Sequence, residues 1–137
     1  MADLPPPVVL RLRDGIAHHD LDVVVGCFRE DYRNETPLHP SRSFSGRAQV
    51  RKNWTQILAA VPDLLPVLVR SCTDAEATWV EWEWSGTKSD GSPLLLRGVT
   101  VLGIIGGLIA WSRFYLEPVE AVGDEVDEAV RAGVGVT

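Results

Sequence analysis

The residues best suited to chemistry are concentrated in one stretch, Trp79-Val80-Glu81-Trp82-Glu83-Trp84-Ser85. These are strand-forming types, and successive side chains along a strand point to opposite sides. Trp79, Glu81, Glu83 and Ser85 therefore share one side, and Val80, Trp82 and Trp84 share the other. Two arrangements are open. Either the glutamates point into an interior and the tryptophans form an outer contact face, or the tryptophans line the interior and the glutamates are solvated. In the first case desolvation raises the pKa of Glu83, and the like charge of Glu81 raises it further. A carboxyl tuned in this way serves as a general acid or base near neutral pH.

Other reactive types are scattered. The Tyr32 phenol offers a hydrogen bond to a substrate oxygen, or it sits in the core with its hydroxyl satisfied. Arg97 and Arg113 stand among apolar strand residues. Buried arginine is rare unless paired, so a salt bridge to a glutamate or a dimer contact is expected, with a clamp for an anionic ligand as the alternative. His18 and His19 are adjacent on a helix and diverge, so with distant His39 they give no metal site. Cys27 and Cys72 fit no metal-ligand spacing. They read as reduced thiols in or near the core, with a disulfide between them left open.

The first half of the chain must supply helices. Val9, Leu12 and Ile16 recur at helical spacing after Pro5-Pro6-Pro7. Asp20 is an N-cap for a second helix over 21–29. An extended piece over 32–37 and a Pro/Ser/Gly loop over 38–46 come next. Ser45 or Gly46 then caps a third helix over 47–61, with Val50, Trp54, Ile57, Leu58 and Val61 as its apolar stripe, and Pro62 stops it. The second half reads as strands over 64–72, 79–85, 94–102 and 108–116. Ser89 to Pro93 is a turn, and Gly106-Gly107 a tight hairpin. Residues 119–137 form a tail, with a short helix expected over 124–132. Three helices followed by an antiparallel meander is an α+β pattern.

A chain of 137 residues fits a single domain. Its 13 basic and 19 acidic residues give a net charge of −6. That balance argues against nucleic acid as a partner and against an anionic membrane surface, and leaves room for an apolar small molecule. The longest apolar run, Val99 to Trp111, is too short and too glycine-rich to span a bilayer. No basic, apolar leader opens the chain, so a cytoplasmic, soluble protein is expected.

The order of elements resembles the nuclear transport factor 2 (NTF2)-like superfamily, and within it the SnoaL-like and ketosteroid isomerase-like proteins. His19-Asp20-Leu21-Asp22-Val23 and then Glu30-Asp31-Tyr32 resemble the stretch between the family's first two helices. Thr36-Pro37 and Gly46-Arg47-Ala48-Gln49-Val50 resemble the approach to its third helix. Trp82 to Thr87, Asp90-Gly91 and Arg97-Gly98-Val99 resemble the paired central strands, and Ile109 to Pro118 the closing strand. The likeness covers roughly residues 8–118 and implies one domain over 1–118. Three N-terminal helices would pack on a strongly curved antiparallel sheet, forming a cone with an apolar pocket, and the outer face of the sheet would make a homodimer. This fold hosts isomerases, cyclases, epoxide hydrolases and non-catalytic binders.

The resemblance also bears on the site. The acidic strand residue of related epoxide hydrolases falls on Glu83, which favours glutamates pointing into the cone. Their arginine and second aspartate fall on Glu81 and Phe114, so epoxide hydrolysis by that set is not expected. Glu35 stands where SnoaL-like cyclases have a histidine, two residues before Pro37. Ser112 and Phe114 stand where those cyclases have a histidine and an aspartate. The expectation is a cofactor-independent enzyme without a metal, moving a proton on an apolar cyclic molecule. Glu83 would be the acid/base, Glu35 and Glu81 its partners, Tyr32 a hydrogen-bond donor, and Trp54, Trp79, Leu96, Ser112 and Phe114 the substrate-binding wall. The alternative is a non-catalytic ligand-binding or dimerisation module.

Overall fold

Proline at the first turn costs a helix nothing, because its missing N–H would be unpaired there anyway. The triple proline accordingly opens α1, Pro7–Ala17, in a computed structural model that describes residues 4–135. Val8, Val9, Leu12 and Ile16 form its buried face. Asp20 caps α2, Leu21–Gly26, by accepting the Val23 N–H at 3.2 Å. That helix is shorter than expected. Phe28 leaves it to enter the core, and β1, Phe28–Glu35, begins there. A one-turn 3-10 helix, Pro40–Arg42, and the two-residue strand β2, Phe44–Ser45, interrupt the predicted loop. Gly46, at φ +97°, is the N-cap of α3, Arg47–Ala60.

Four more strands complete the sheet: β3, Leu65–Thr73; β4, Thr78–Thr87; β5, Pro93–Ile105; and β6, Leu108–Pro118. The sheet order is β2-β1-β6-β5-β4-β3. The meander is antiparallel as expected, but β1 joins β6 in parallel, so the sheet is mixed. α1 lies against α2 and β3, and α3 against β1. The helices thus fill the concave side of a curved, open sheet, in the α+β arrangement read from the sequence. The core runs from Val8, Val9 and Ile16 through Tyr32, Val50 and Trp54 to Val80, Trp82 and Trp84. After Pro118 the chain leaves the sheet, and α4, Val126–Gly133, buries none of its residues. No helix among the described residues is long and apolar enough to cross a membrane.

Gly98 fixes how β5 and β6 meet. Its φ is +151°, and a Cβ there would collide with the Tyr115 carbonyl oxygen. The obstacle is backbone, which no rotamer change can relieve. Gly98→Ala is expected to cost about 2–3 kcal/mol, seen as a lower urea midpoint with an unchanged m-value.

Candidate functional site

The alternation along β4 decides what the cone contains. Val80, Trp82 and Trp84 are buried, whereas Trp79 is 45% exposed and Glu81 and Glu83 lie between these extremes. The glutamates therefore point out of the cone and the tryptophans point in, the reverse of the arrangement the resemblance favoured. The physical reason is a contest over one strand's parity. Each buried indole removes on the order of 200 Å² from water, roughly 5 kcal/mol at about 25 cal/mol/Å². An unpaired buried carboxylate would instead cost several kcal/mol.

Outside, the carboxylates find arginines across the strands. Glu81 pairs with Arg70 at 2.8 Å and Glu83 with Arg97 at 3.6 Å. Glu35 also lies outside the main cavity, between Arg113 at 3.1 Å and Arg33 at 3.6 Å. None of these three glutamates lines the main cavity, and each pairs with an arginine in solvent, so the enclosure expected around Glu83 is missing. Trp79 is displaced from the expected substrate wall for the same reason, since it shares the parity of Glu81 and Glu83. Arg97 and Arg113 are in salt bridges to glutamates, as expected of arginines among apolar strand residues. Cys27 is buried and Cys72 exposed, and both are free thiols. Burial pushes the Cys27 thiol up from its ordinary value.

The concave side holds a cavity of about 320 Å³, within the size range of small-molecule sites. Phe28, Phe44, Val50, Trp54 and Ile57 line one wall, and Trp84, Leu96, Phe114 and Leu116 the other. Of the residues expected to form a substrate wall, Trp54, Leu96 and Phe114 line this cavity. Trp54 and Trp84 have ring centroids 5.6 Å apart, and Trp82 stands 5.7 Å from Trp84 behind them. A narrow recess of about 20 Å³ continues inward, lined by Trp82, Trp84, Thr100, Ser112 and Phe114 among others. The Trp82 indole N–H donates to Thr100 Oγ1 at 2.9 Å.

Tyr32 is the expected site residue that this cavity holds most firmly. It is buried on β1, edge-on to Phe28 at 4.7 Å. Its hydroxyl is hydrogen-bonded to Ser112 on β6 and lies 3.1 Å from Asn34 Oδ1, which it can donate to. Asn34 in turn donates to Thr36 Oγ1 at 3.2 Å. Tyr32, Asn34 and Thr36 are alternate residues of one strand and its end, so all three line the cavity. Ser112 is fully buried and reaches only the recess. It holds the phenol in place and does not line the main cavity. Burial raises the Tyr32 pKa well above its ordinary value, and the Ser112 hydrogen bond only partly offsets this. The group is a neutral phenol, suited to donating a hydrogen bond and unsuited to acting as a base.

At the more exposed end, Thr36, Arg42, Glu117 and Pro118 form the mouth. Glu117 is the one carboxylate lining the cavity, and His39 Nε2 stands 3.0 Å from its Oε1. Sequence reading missed this pair. His39 lies in a loop and Glu117 at the last turn of alternation in β6, so no periodicity joins them. Asn34 could have been found from its i+2 spacing to Tyr32. Among the described residues no group of three His, Cys, Asp or Glu could hold a metal.

The comparisons with known proteins agree with this fold. The model of the SnoaL-like domain matches residues 9–112. Among solved structures, the chain is similar to a protein of ketosteroid isomerase-like fold from Catenulispora acidiphila, in complex with trimethylamine. The identity is 13% and the TM-score 0.71, over 98% of this chain and 96% of that one. A Sinorhizobium meliloti protein provisionally named a polyketide cyclase matches at 23% identity and TM-score 0.65, over 84% and 96% of the two chains. A Kribbella flavida protein provisionally named a ketosteroid isomerase matches at 18% and 0.66, over 88% and 81%. No curated protein matches the sequence.

The buried phenol has a signature in alkali. Its folded-state pKa lies above the ordinary value of 10.0, so its contribution to stability is complete below pH 10. Above that pH the unfolded chain binds fewer protons than the folded one, and stability falls as pH rises. In Tyr32→Phe that alkaline slope is expected to flatten. The variant should also lose about 1–3 kcal/mol at neutral pH through the stranded Asn34 and Ser112 groups, both read from urea unfolding between pH 7 and 11.

Proposed function

The chain belongs to the SnoaL-like domain family, and from that premise we propose that it is a cofactor-independent enzyme that moves a proton next to a carbonyl of a compact, largely apolar ring compound. The observation that carries this reading is the division of labour in one cavity. A neutral phenol stands at the buried wall, and a carboxylate backed by an imidazole stands at the mouth. When Ser112 donates to Tyr32, the single phenolic proton is free for either Asn34 Oδ1 or a ligand oxygen. Glu117 takes a proton from the carbon beside the carbonyl. The electron pair of that C–H bond moves into a new C=C bond, and the negative charge on oxygen is held by the Tyr32 hydrogen bond. Return of a proton from Glu117 to the same carbon gives exchange; where a C=C bond lies β,γ to the carbonyl, its return to the γ-carbon, with the double bond moving into conjugation, gives an isomer. Held next to Glu117, His39 orients the carboxylate. Catalysis by such a base is worth about 10²–10⁴-fold.

A second reading has its own support. No carboxylate lines the cavity except Glu117 at its mouth, which suits a binding module without a reaction. The outer sheet face is the proposed homodimer contact in either case. Leu65, Val67 and Val69 are exposed on β3, toward the other end of the face that carries Trp79. A cytoplasmic setting belongs to the same reading, in keeping with two unpaired thiols.

The test is proton exchange into D₂O at the carbon beside the carbonyl of 2-decalone, followed by NMR. Glu117→Gln is expected to slow exchange at least 100-fold, and Tyr32→Phe about tenfold or more. Glu83→Gln, on the outer face, is expected to stay within twofold of the unaltered protein. Saturable binding without any catalysed exchange would select the binding module, and exchange that survives Glu117→Gln would remove that residue from the mechanism. For the dimer, Trp79→Glu is expected to yield monomer in sedimentation velocity where the unaltered chain sediments as a dimer.

A further inference from the structure

The parity that turns Tyr32 and Asn34 inward turns Arg33 and Glu35 to the outer side of β1. There Glu35 stands opposite Arg113 of β6 in the parallel ladder, and the Arg113 Nε–H donates to Glu35 Oε2 at 3.1 Å. Arg33 Nε lies 3.6 Å from the other carboxylate oxygen, Oε1. Two guanidinium groups thus share one carboxylate. The other arginine–glutamate pairs of this sheet, Arg70 with Glu81 and Arg97 with Glu83, are one to one.

Arg33, Glu35 and Arg113 line one cleft of about 360 Å³, together with Thr36, Ser43 and two prolines. No other charged residue lines it, so its walls carry two positive charges and one negative, on a chain whose net charge is −6. The polar atoms left over are donors. A guanidinium carries five N–H groups, and each of these two meets Glu35 through its Nε, which leaves the terminal NH₂ groups of both. Ser43 Oγ accepts the Thr36 N–H at 3.1 Å, and Thr36 Oγ1 accepts from Asn34 Nδ2 at 3.2 Å. Each of these hydroxyls keeps its own proton to donate. Thr36 also belongs to the mouth of the main cavity, so cleft and mouth share a wall residue.

We propose that this cleft binds an oxyanion, the phosphate monoester group of a small molecule. The excess positive charge selects an anion, and guanidinium groups suit phosphate oxygens because they donate in pairs. A phosphate monoester brings three acceptor oxygens and a charge of about −1.5 to −2 at neutral pH, where a carboxylate brings two oxygens and one charge. Two guanidinium groups and two hydroxyls therefore find more to bond in the phosphate. Glu35 holds both arginines before the anion arrives, which lowers the cost of ordering them. The Arg33 and Arg113 side chains are 71% and 53% exposed, so binding is weak and falls as salt is added. The site lies outside the main cavity and does not depend on the reaction proposed there.

The test is a titration of isotope-labelled protein with phenyl phosphate at neutral pH and low salt, with benzoate alongside, followed by NMR at the backbone amides and the arginine Nε–H groups. Signals of Arg33, Arg113, Thr36 and Ser43 are expected to shift and saturate with a Kd of about 1 mM. Benzoate is expected to bind about fivefold more weakly or worse, and Arg33→Gln and Arg113→Gln each to weaken phenyl phosphate by about fivefold or more. Arg97→Gln breaks a one-to-one pair on the same sheet and is expected to change the Kd by less than about twofold. The backbone spectra of the variants report whether each is folded. Absence of saturable shifts at the cleft would overturn the site. Equal weakening in Arg97→Gln would reduce it to diffuse attraction and overturn it as well. Benzoate binding as tightly as phenyl phosphate would overturn the assignment to a phosphate ester.

Discussion

Val80, Trp82 and Trp84 stand at alternate positions of β4, and their burial against Trp54 sets the rest of the molecule. A strand has only two sides, so filling the concave side with indoles sends Glu81 and Glu83 to the convex one. There they meet Arg70 and Arg97 in exposed pairs of the kind that contribute little to stability. The same parity carries Trp79 outward, opposite Cys72, on the sheet face that also exposes Leu65, Val67 and Val69. The interior is therefore lined by Val80, Trp82 and Trp84 along β4, and its polar groups come from other elements. Tyr32 and Asn34 arrive from β1, Asn53 from α3, and Glu117 from the end of β6.

Much of this was legible in the sequence because it rests on local rules. Asp20 reads as a cap from its type and position, and the structure gives its carboxylate the Val23 N–H. The Val50, Trp54 and Ile57 stripe reads as a helix face, and Trp54 and Ile57 do line the cavity. The boundary of α2 was not legible, because Phe28 and Arg29 suit a helix as well as a strand. Only the pairing of β1 with β6 settles it. The side of β4 that faces the cone is likewise undetermined by alternation, which fixes which residues travel together and not where they go. The resemblance pointed to the glutamates, since a matching residue type at a matching position says nothing about the packing that replaced its neighbours.

Satisfied and unsatisfied polar groups divide the cavity into two regions. Around Tyr32 every hydroxyl and amide of the cluster has a partner, so the phenol is held in one orientation and stays neutral. At Trp84 the buried indole N–H has no partner among the described residues. A rigid, fully bonded cluster in the same cavity fits a site that is ordered before its ligand arrives, and such preordering lowers the entropic cost of binding.

The parallel pairing of β1 with β6 joins residues such as Asn34 and Ser112 that lie far apart in the chain. On the ribosome, β1 emerges well before its partner strand exists. Its hydrogen-bonding edge and the apolar side chains of Phe28 and Tyr32 must wait until residues 108–118 have been made. The front wall of the cone is then the last part to assemble. Contacts of this sequence separation slow folding, and a nascent chain paused before β6 would display an open strand edge beside unburied aromatic rings. For this protein, synthesis of the closing strand is the event that ends its exposure to aggregation.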